Sequence, residues 1–165
     1  MRDPRGNELP PGRLIEVTLD PGSISRNGDP RVERERQMAI YDLLDCNSFE
    51  LVDFDIGPYR LIIGARDARF IFNIQNEMRT PLIAHMLPFA LLKRIISDYF
   101  IVCDSYCEAI KSAPPSRIEA LDMGRRNLHD EGSRTLVGQL GDNIKVDHDT
   151  GRRLFTLICS LYWKG

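Results

Sequence analysis

The stretch YRLIIGARDARFIFNIQNEMRTPLIAHM, residues 59–86, decides the fold. Tyr59, Leu61 and Ile63 alternate with Arg60, Ile62 and Gly64. Phe70, Phe72 and Ile74 alternate with Arg69, Ile71 and Asn73. A period of two sends one set of side chains to each face of a strand. The spacing predicts strands over Tyr59–Ala65, Arg69–Gln75 and Pro81–Met86, with a further one upstream over Phe49–Asp55. Gly57-Pro58, Asp67-Ala68 and the polar run 76–80 separate them. Such short connections permit antiparallel hairpins and exclude parallel crossovers. A sheet with one apolar face then needs a helical cover.

Helical periodicity appears on both sides of this segment. Downstream, Pro88 precedes a run over Phe89–Ala113 in which Leu92, Ile95, Ile96, Tyr99, Val102, Cys103, Tyr106 and Ile110 recur at spacings of three and four. Pro114-Pro115 ends that helix. Ser116 to Glu119 matches a capping box, in which the serine accepts from a free N–H and the glutamate reaches back. The helix it opens either breaks near Gly132-Ser133 or runs on to Leu140. Gly141-Asp142-Asn143 reads as a turn and Ile144–Val146 as a short edge strand. A last helix is capped by Asp149 or Thr150 and carries Leu154, Leu157, Ile158 and Leu161 on one stripe. Upstream, Arg13–Leu19 alternates as a strand, Asp20-Pro21-Gly22 turns the chain, and Asn27-Gly28 breaks it. Asp29-Pro30 has the chemistry of an N-cap followed by the first helical position. The charges Arg31 and Glu33 to Arg36 read as a solvated helix face. Met1–Gly12, polar and rich in proline, reads as a flexible tail.

The fold class expected is α+β: an antiparallel β-meander of four to five strands covered by a long helix and C-terminal helices. A chain of 165 residues corresponds to one domain, here 13–165. Apolar residues make up 42% and charged residues 28%, an ordinary globular composition. No stretch reaches the roughly 18 apolar residues of a membrane span, and the N-terminus lacks a signal peptide's apolar segment. Cys46, Cys103, Cys107 and Cys159 form no Cys-x-x-Cys pair, so reduced thiols in the cytoplasm are expected.

The formal charge of −2 disfavours a broad nucleic-acid or anionic-membrane surface. From Ser116 to the end, eight basic residues stand against seven acidic ones. Nucleic-acid binding through Arg125, Arg126, Arg134, Arg152 and Arg153 is therefore the least favoured reading.

Two polar clusters are candidate ligand sites. On a helix, Arg125, His129 and Ser133 share one face, and Asp122, Arg126 and Asp130 lie one step around. The functional reading is an anion or phosphate site with Arg125 as clamp and His129 as general acid or base. The structural reading is ion pairing along an exposed face. The second cluster is Asp147-His148-Asp149. Carboxylates beside a histidine suit a metal, but no ligand spacing supports one, and helix capping accounts for Asp147 and Asp149. No metal, cofactor or catalytic set is assigned. Phosphate-loop, dinucleotide and nucleophile-elbow motifs are missing from the sequence.

The phrases Gly57-Pro58-Tyr59-Arg60-Leu61, Lys93 to Phe100, Glu119 to Ser133 and Asp149 to Cys159 together resemble a bacterial group, uncharacterised protein family 0262. The resemblance runs from about Arg13 to the C-terminus. It implies a bacterial cytoplasmic protein and carries no assigned activity, ligand or catalytic residue. Met1–Gly12 extends beyond the shorter N-termini of that family.

Three function classes remain. The first is a non-enzymatic binding or regulatory protein that self-associates or binds a protein partner, through apolar surface on Phe89–Ile110 and Phe155–Trp163 that one sheet face does not consume. The second is an enzyme or binding protein for a small anionic or phosphorylated compound held by Arg125, Arg126 and His129. The third is the weak nucleic-acid binder.

Overall fold

The structure is a computed structural model and describes residues 2, 5–7, 10–24, 28–54 and 57–162. Strands β3 (Tyr59–Arg66), β4 (Arg69–Asn76) and β5 (Pro81–Pro88) form the predicted meander. They pair antiparallel, with Leu61 opposite Ile74, Ile63 opposite Phe72 and Phe70 opposite Leu87. Their alternation sorts the side chains as the sequence implies. Leu61, Ile63, Phe70, Phe72, Ile74 and Leu87 are buried on one face, and the other face is left largely polar or half-exposed.

Two expectations about the sheet need correction. Its fourth strand is β1 (Leu14–Leu19), which lies parallel to β3 at the edge. The long connection through α1 (Pro30–Asp45) supplies the crossover a parallel pair requires. The predicted strand over Phe49–Asp55 is only three residues long, β2 (Phe49–Leu51). It leaves the meander to pair antiparallel with β6 (Ile144–Val146). Asp55 itself lies outside the described residues, as does Asn27 of the predicted break.

Three long helices follow the sheet: α2 (Lys93–Ser112), α3 (Pro115–Leu140) and α4 (His148–Tyr162). A short 3-10 turn over Phe89–Leu91 occupies the predicted start of α2. α3 does not break at Gly132. Its capping box does not form, and no side chain caps its first turn. Pro115 already holds the first helical position, so Ser116 lies one residue inside the helix. The cap falls to Pro114, which has no side-chain acceptor. Asp29 caps α1 as expected, accepting from the Arg31 N–H at 2.8 Å. Asp147 caps α4, its Oδ1 accepting from the Thr150 N–H at 3.0 Å. Thr150 and Asp149 are themselves inside that helix.

The cover of the sheet is chiefly α4. It packs on β3, α1 and α3 together, and Leu154, Phe155, Leu157, Ile158 and Leu161 are all buried. Of the stretch Phe155–Trp163 expected to leave surface to spare, the apolar residues up to Leu161 are consumed inside, Tyr162 is half-buried, and Trp163 lies outside the described residues. α2 lies mainly along α3, and with Leu92 just before it adds Ile95, Ile96 and Tyr99 to the same core.

Part of the predicted N-terminal tail, residues 1, 3, 4, 8 and 9, lies outside the described residues. The tail's last residue is anchored: the Gly12 carbonyl accepts from the Phe49 N–H at 3.0 Å. Among the described residues, no helix is long and apolar enough to cross a membrane.

Candidate functional site

α1, α3 and α4 enclose a cleft of about 520 Å³. α1 contributes a row at helical spacing: Arg31, Arg34, Glu35, Met38, Ala39 and Asp42. Across it stand Arg125, Arg126 and His129 of α3 and Arg152, Arg153 and Thr156 of α4, with Tyr99 of α2 behind them. The charges over Arg31–Arg36 are therefore not merely a solvated face. Arg31, Arg34 and Glu35 form a cleft wall, and Arg36 is buried, donating to Ser160 Oγ at 3.1 Å and to the Ser160 carbonyl at 3.2 Å.

The helices run antiparallel around the cleft. Arg36 meets Ser160 near the end of α4, while Arg153 of its second turn donates to the Cys46 carbonyl beyond the end of α1, at 3.0 Å. His129 of α3 faces Thr156, and Asp130 faces Arg152. Along the cleft, then, Arg31 and Arg125 lie at one end, Arg152, Arg153 and Asp42 at the other, and His129 between them.

His129 is held on all sides. Its Nε2 lies 2.9 Å from Thr156 Oγ1, and Nδ1 lies 3.4 Å from Ser133 Oγ. Both hydroxyls turn their protons to the carbonyl four residues back: Thr156 to Arg152 at 3.3 Å, and Ser133 to His129 at 2.7 Å. Their oxygens thus face the imidazole as acceptors. The one N–H of the neutral ring is assigned to Nε2, which has the shorter contact. Tyr99 and Phe155 pack edge-on to the ring, at centroid distances of 5.4 and 5.1 Å. Burial lowers the His129 pKa to about 4, with Arg152 and Arg125 pushing the same way against Asp130. At neutral pH His129 is an uncharged donor.

The guanidiniums are braced by carboxylates outside the lining. Asp122 accepts from Arg125 at 2.6 Å and pairs with Arg126 at 2.9 Å. Asp130 pairs with Arg152, and Asp29 with Arg31 at 3.0 Å. Arg125 also lies 5.2 Å over the Tyr106 ring, and its Nε is buried without an acceptor. On the inner wall, by contrast, the side chains of Arg34, Glu35 and Asp42 make no hydrogen bond or ion pair among the described residues. Crowding by protein raises the Glu35 carboxyl pKa, against the pull of Arg125 and Arg31. Six arginines and two carboxylates line the cleft. Guanidinium forks so arranged match the oxygens of phosphate or carboxylate.

Of the predicted site residues, Arg125, Arg126 and His129 do converge here. Asp130 braces Arg152, and Ser133 is buried beneath His129. Asp147 and His148 do not join them. They border a separate hollow of about 280 Å³ beside Ser133 and Arg134. Asp149 is exposed in the first turn of α4. Among the described residues, no cluster of His, Cys, Asp or Glu could hold a metal ion. The α1 wall, Arg152, Arg153 and Thr156 were not part of the predicted anion site. The i, i+3, i+4, i+7 spacing of Arg31, Arg34, Glu35 and Met38 was the signal for a shared face, but what that face meets is tertiary.

The family model described as uncharacterised protein family (UPF0262) matches residues 11–164. The chain belongs to UPF0262. It is 52% identical to the UPF0262 protein of Agrobacterium fabrum over 153 residues, 93% of this chain and 96% of the relative. The UPF0262 protein of Azorhizobium caulinodans is 52% identical over 158 residues, covering 94% and 97%. That of Rhodopseudomonas palustris strain HaA2 is 50% identical over 153 residues, 93% of each chain. No solved structure matches the chain. UPF0262 is uncharacterised and carries no assigned function, so the cleft geometry must supply the functional reading.

Proposed function

We propose that this UPF0262 protein is a binding or regulatory protein, not a catalyst, and that its α1–α3–α4 cleft takes a small anionic ligand of the phosphorylated class. The observation that carries this reading is the set of six arginines from three helices facing one concave space. Bracing by Asp122, Asp130 and Asp29 holds several of these long side chains in place before a ligand arrives, which lowers the ordering cost of binding. The concavity suits a small molecule better than a nucleic-acid duplex. Arg134, one of the arginines considered for nucleic acid, borders the other hollow.

The non-catalytic reading is supported by His129. A general acid or base works best with a pKa near the operating pH and free access to substrate. Here the pKa is about 4 and both ring nitrogens face protein hydroxyls. Its role in this reading is to donate or to shape the floor. We place the activity in the cytoplasm, a reading supported by the four free thiols Cys46, Cys103, Cys107 and Cys159.

Calorimetric titration with phosphate, pyrophosphate and sugar phosphates tests the reading. Binding that weakens with salt and falls about tenfold or more in Arg125→Gln supports it. No heat and no thermal stabilisation with any phosphorylated anion would overturn it.

Self-association is a second reading, favoured by Ile101 and Ile110, which are exposed on α2. Light scattering across micromolar concentrations tests it, and a strict monomer would remove it.

A further inference from the structure

The cleft's arginines fall into two groups rather than one. Arg31, Arg34, Arg125 and Arg126 gather towards the start of α1, and Arg152 and Arg153 towards the start of α4. The hydrogen-bonded pair His129 and Thr156 lies between them. Arg125 precedes His129 by four residues on α3, and Arg152 precedes Thr156 by four on the antiparallel α4. Asp122, which holds Arg125 and Arg126, lies eight residues before Asp130, which holds Arg152, on α3. At about 1.5 Å of rise per residue, the guanidiniums are therefore anchored roughly 12 Å apart along the cleft. A single phosphoryl group cannot reach across that distance. The wall between them is apolar: Met38 is exposed, Ala39 lies beside it, and Tyr99 closes the back.

We propose that the ligand is a two-headed anion, with a phosphoryl or carboxylate group at each end of an apolar body, one head on Arg125 and Arg126 and the other on Arg152 and Arg153. This inference rests on the anion-binding reading and narrows it to one ligand geometry. The middle of the ligand lies along Met38 and Ala39. Glu35 flanks the Arg125 end and Asp42 the Arg152 and Arg153 end, seven residues apart on α1, so between them α1 offers the ligand only Met38 and Ala39.

A molecular ruler tests the geometry without knowledge of the natural ligand. The full chain is titrated calorimetrically with α,ω-alkane diphosphonates from propane to decane and with the matching monophosphonates. The expected result is an affinity that rises with length to an optimum and there exceeds the monophosphonate by about tenfold or more. Arg125→Gln and Arg153→Gln should each bring the diphosphonate down to the monophosphonate level. Arg134→Gln, which removes a charge outside the cleft, should leave both unchanged. Circular dichroism melts confirm that each variant is folded. Diphosphonates that bind no better than monophosphonates at every length overturn the two-headed ligand and leave anion binding standing. So does a length optimum that responds to only one of the two cleft arginines. If no phosphonate binds at all, both the two-headed ligand and the anion-binding reading fall.

Discussion

The ring of Phe155 occupies the space a side chain would need at Gly132: a Cβ built there collides with the Cζ, Cε1 and Cε2 atoms. Phe155 is fully buried in the core of α4 and also packs edge-on to His129. Gly132 is therefore what lets α3 approach α4 closely enough for His129 to meet Thr156. In an open helical position, Gly→Ala gains about 0.8–1 kcal/mol. Here overpacking of roughly 1–3 kcal/mol opposes that gain. We expect Gly132→Ala to lose up to about 2 kcal/mol net in urea denaturation. Gly138→Ala is the control, because nothing lies within 4 Å of a Cβ there, and it should be neutral or stabilising. Equal responses of the two variants would show that the helix contact at Gly132 is not tight.

How much of this was legible in the sequence depends on the range of the interaction concerned. The strands Tyr59–Arg66, Arg69–Asn76 and Pro81–Pro88 were legible because alternation and short connections are local. The Asp29 cap was legible for the same reason. The capping box at Ser116 failed because two local signals competed and Pro115 fixed the register one residue earlier. The edge strand Leu14–Leu19 was legible as a strand, and Phe49–Leu51 as the start of one, but their pairing was not, since each depends on a partner far along the chain, Leu61 for Val17 and Val146 for Phe49. Arg125 and His129 shared a face by spacing alone. That Arg31, Arg34 and Asp42 would look across at them depended on how α4 seats α1, which no local pattern encodes.

His129 makes stability depend on pH in a definite direction. Its pKa is lowered from 6.5 to about 4 in the folded chain, chiefly by burial. Between those values the unfolded chain binds more protons than the folded one, so stability rises with pH. The contribution is fully present above pH 6.5, is lost as pH falls towards 4, and changes little below. The swing is at most about 3 kcal/mol. Glu16, Asp29 and Asp122, whose pKa values are lowered by arginine partners, lose their contributions only below their ordinary values of 4.5 and 3.8. Urea midpoints of the wild type and His129→Gln, followed across the window, separate the two effects. The wild type should lose stability there and the variant should be flatter. Parallel curves would mean that His129 is not buried neutral.

Thr156 is the acceptor on which that neutral ring depends. Replacement by valine keeps the branched shape but leaves the His129 Nε2–H without its partner at 2.9 Å. An unsatisfied buried donor costs about 1–3 kcal/mol. Thr156→Val should lose that much, whereas Thr156→Ser, which keeps the oxygen, should lose well under half as much. If both variants lose the same, the methyl group's packing matters and the hydrogen bond does not.

Arg36 separates packing from charge in the wall that shapes the cleft. Its guanidinium is buried and reaches Ser160 twice, at 3.1 and 3.2 Å, tying α1 to the last turns of α4. Its ionic partner Glu33 is half-exposed, so loss of the arginine leaves no buried carboxylate stranded. Well-packed apolar replacements of buried ion pairs are often near neutral, while truncation leaves a cavity. Arg36→Met should therefore cost no more than about 1.5 kcal/mol, and Arg36→Ala about 2–4 kcal/mol, in urea denaturation. The anion-binding reading adds a second readout. Arg36 does not line the cleft, yet Arg36→Ala lets α1 shift against α4 and misplaces Arg31 and Arg34 relative to Arg152 and Arg153. Phosphonate affinity should fall several-fold in Arg36→Ala and hold in Arg36→Met. Because both variants remove the same charge, a fall shared equally by both would assign the effect to the field of Arg36 rather than to the seating of the helix.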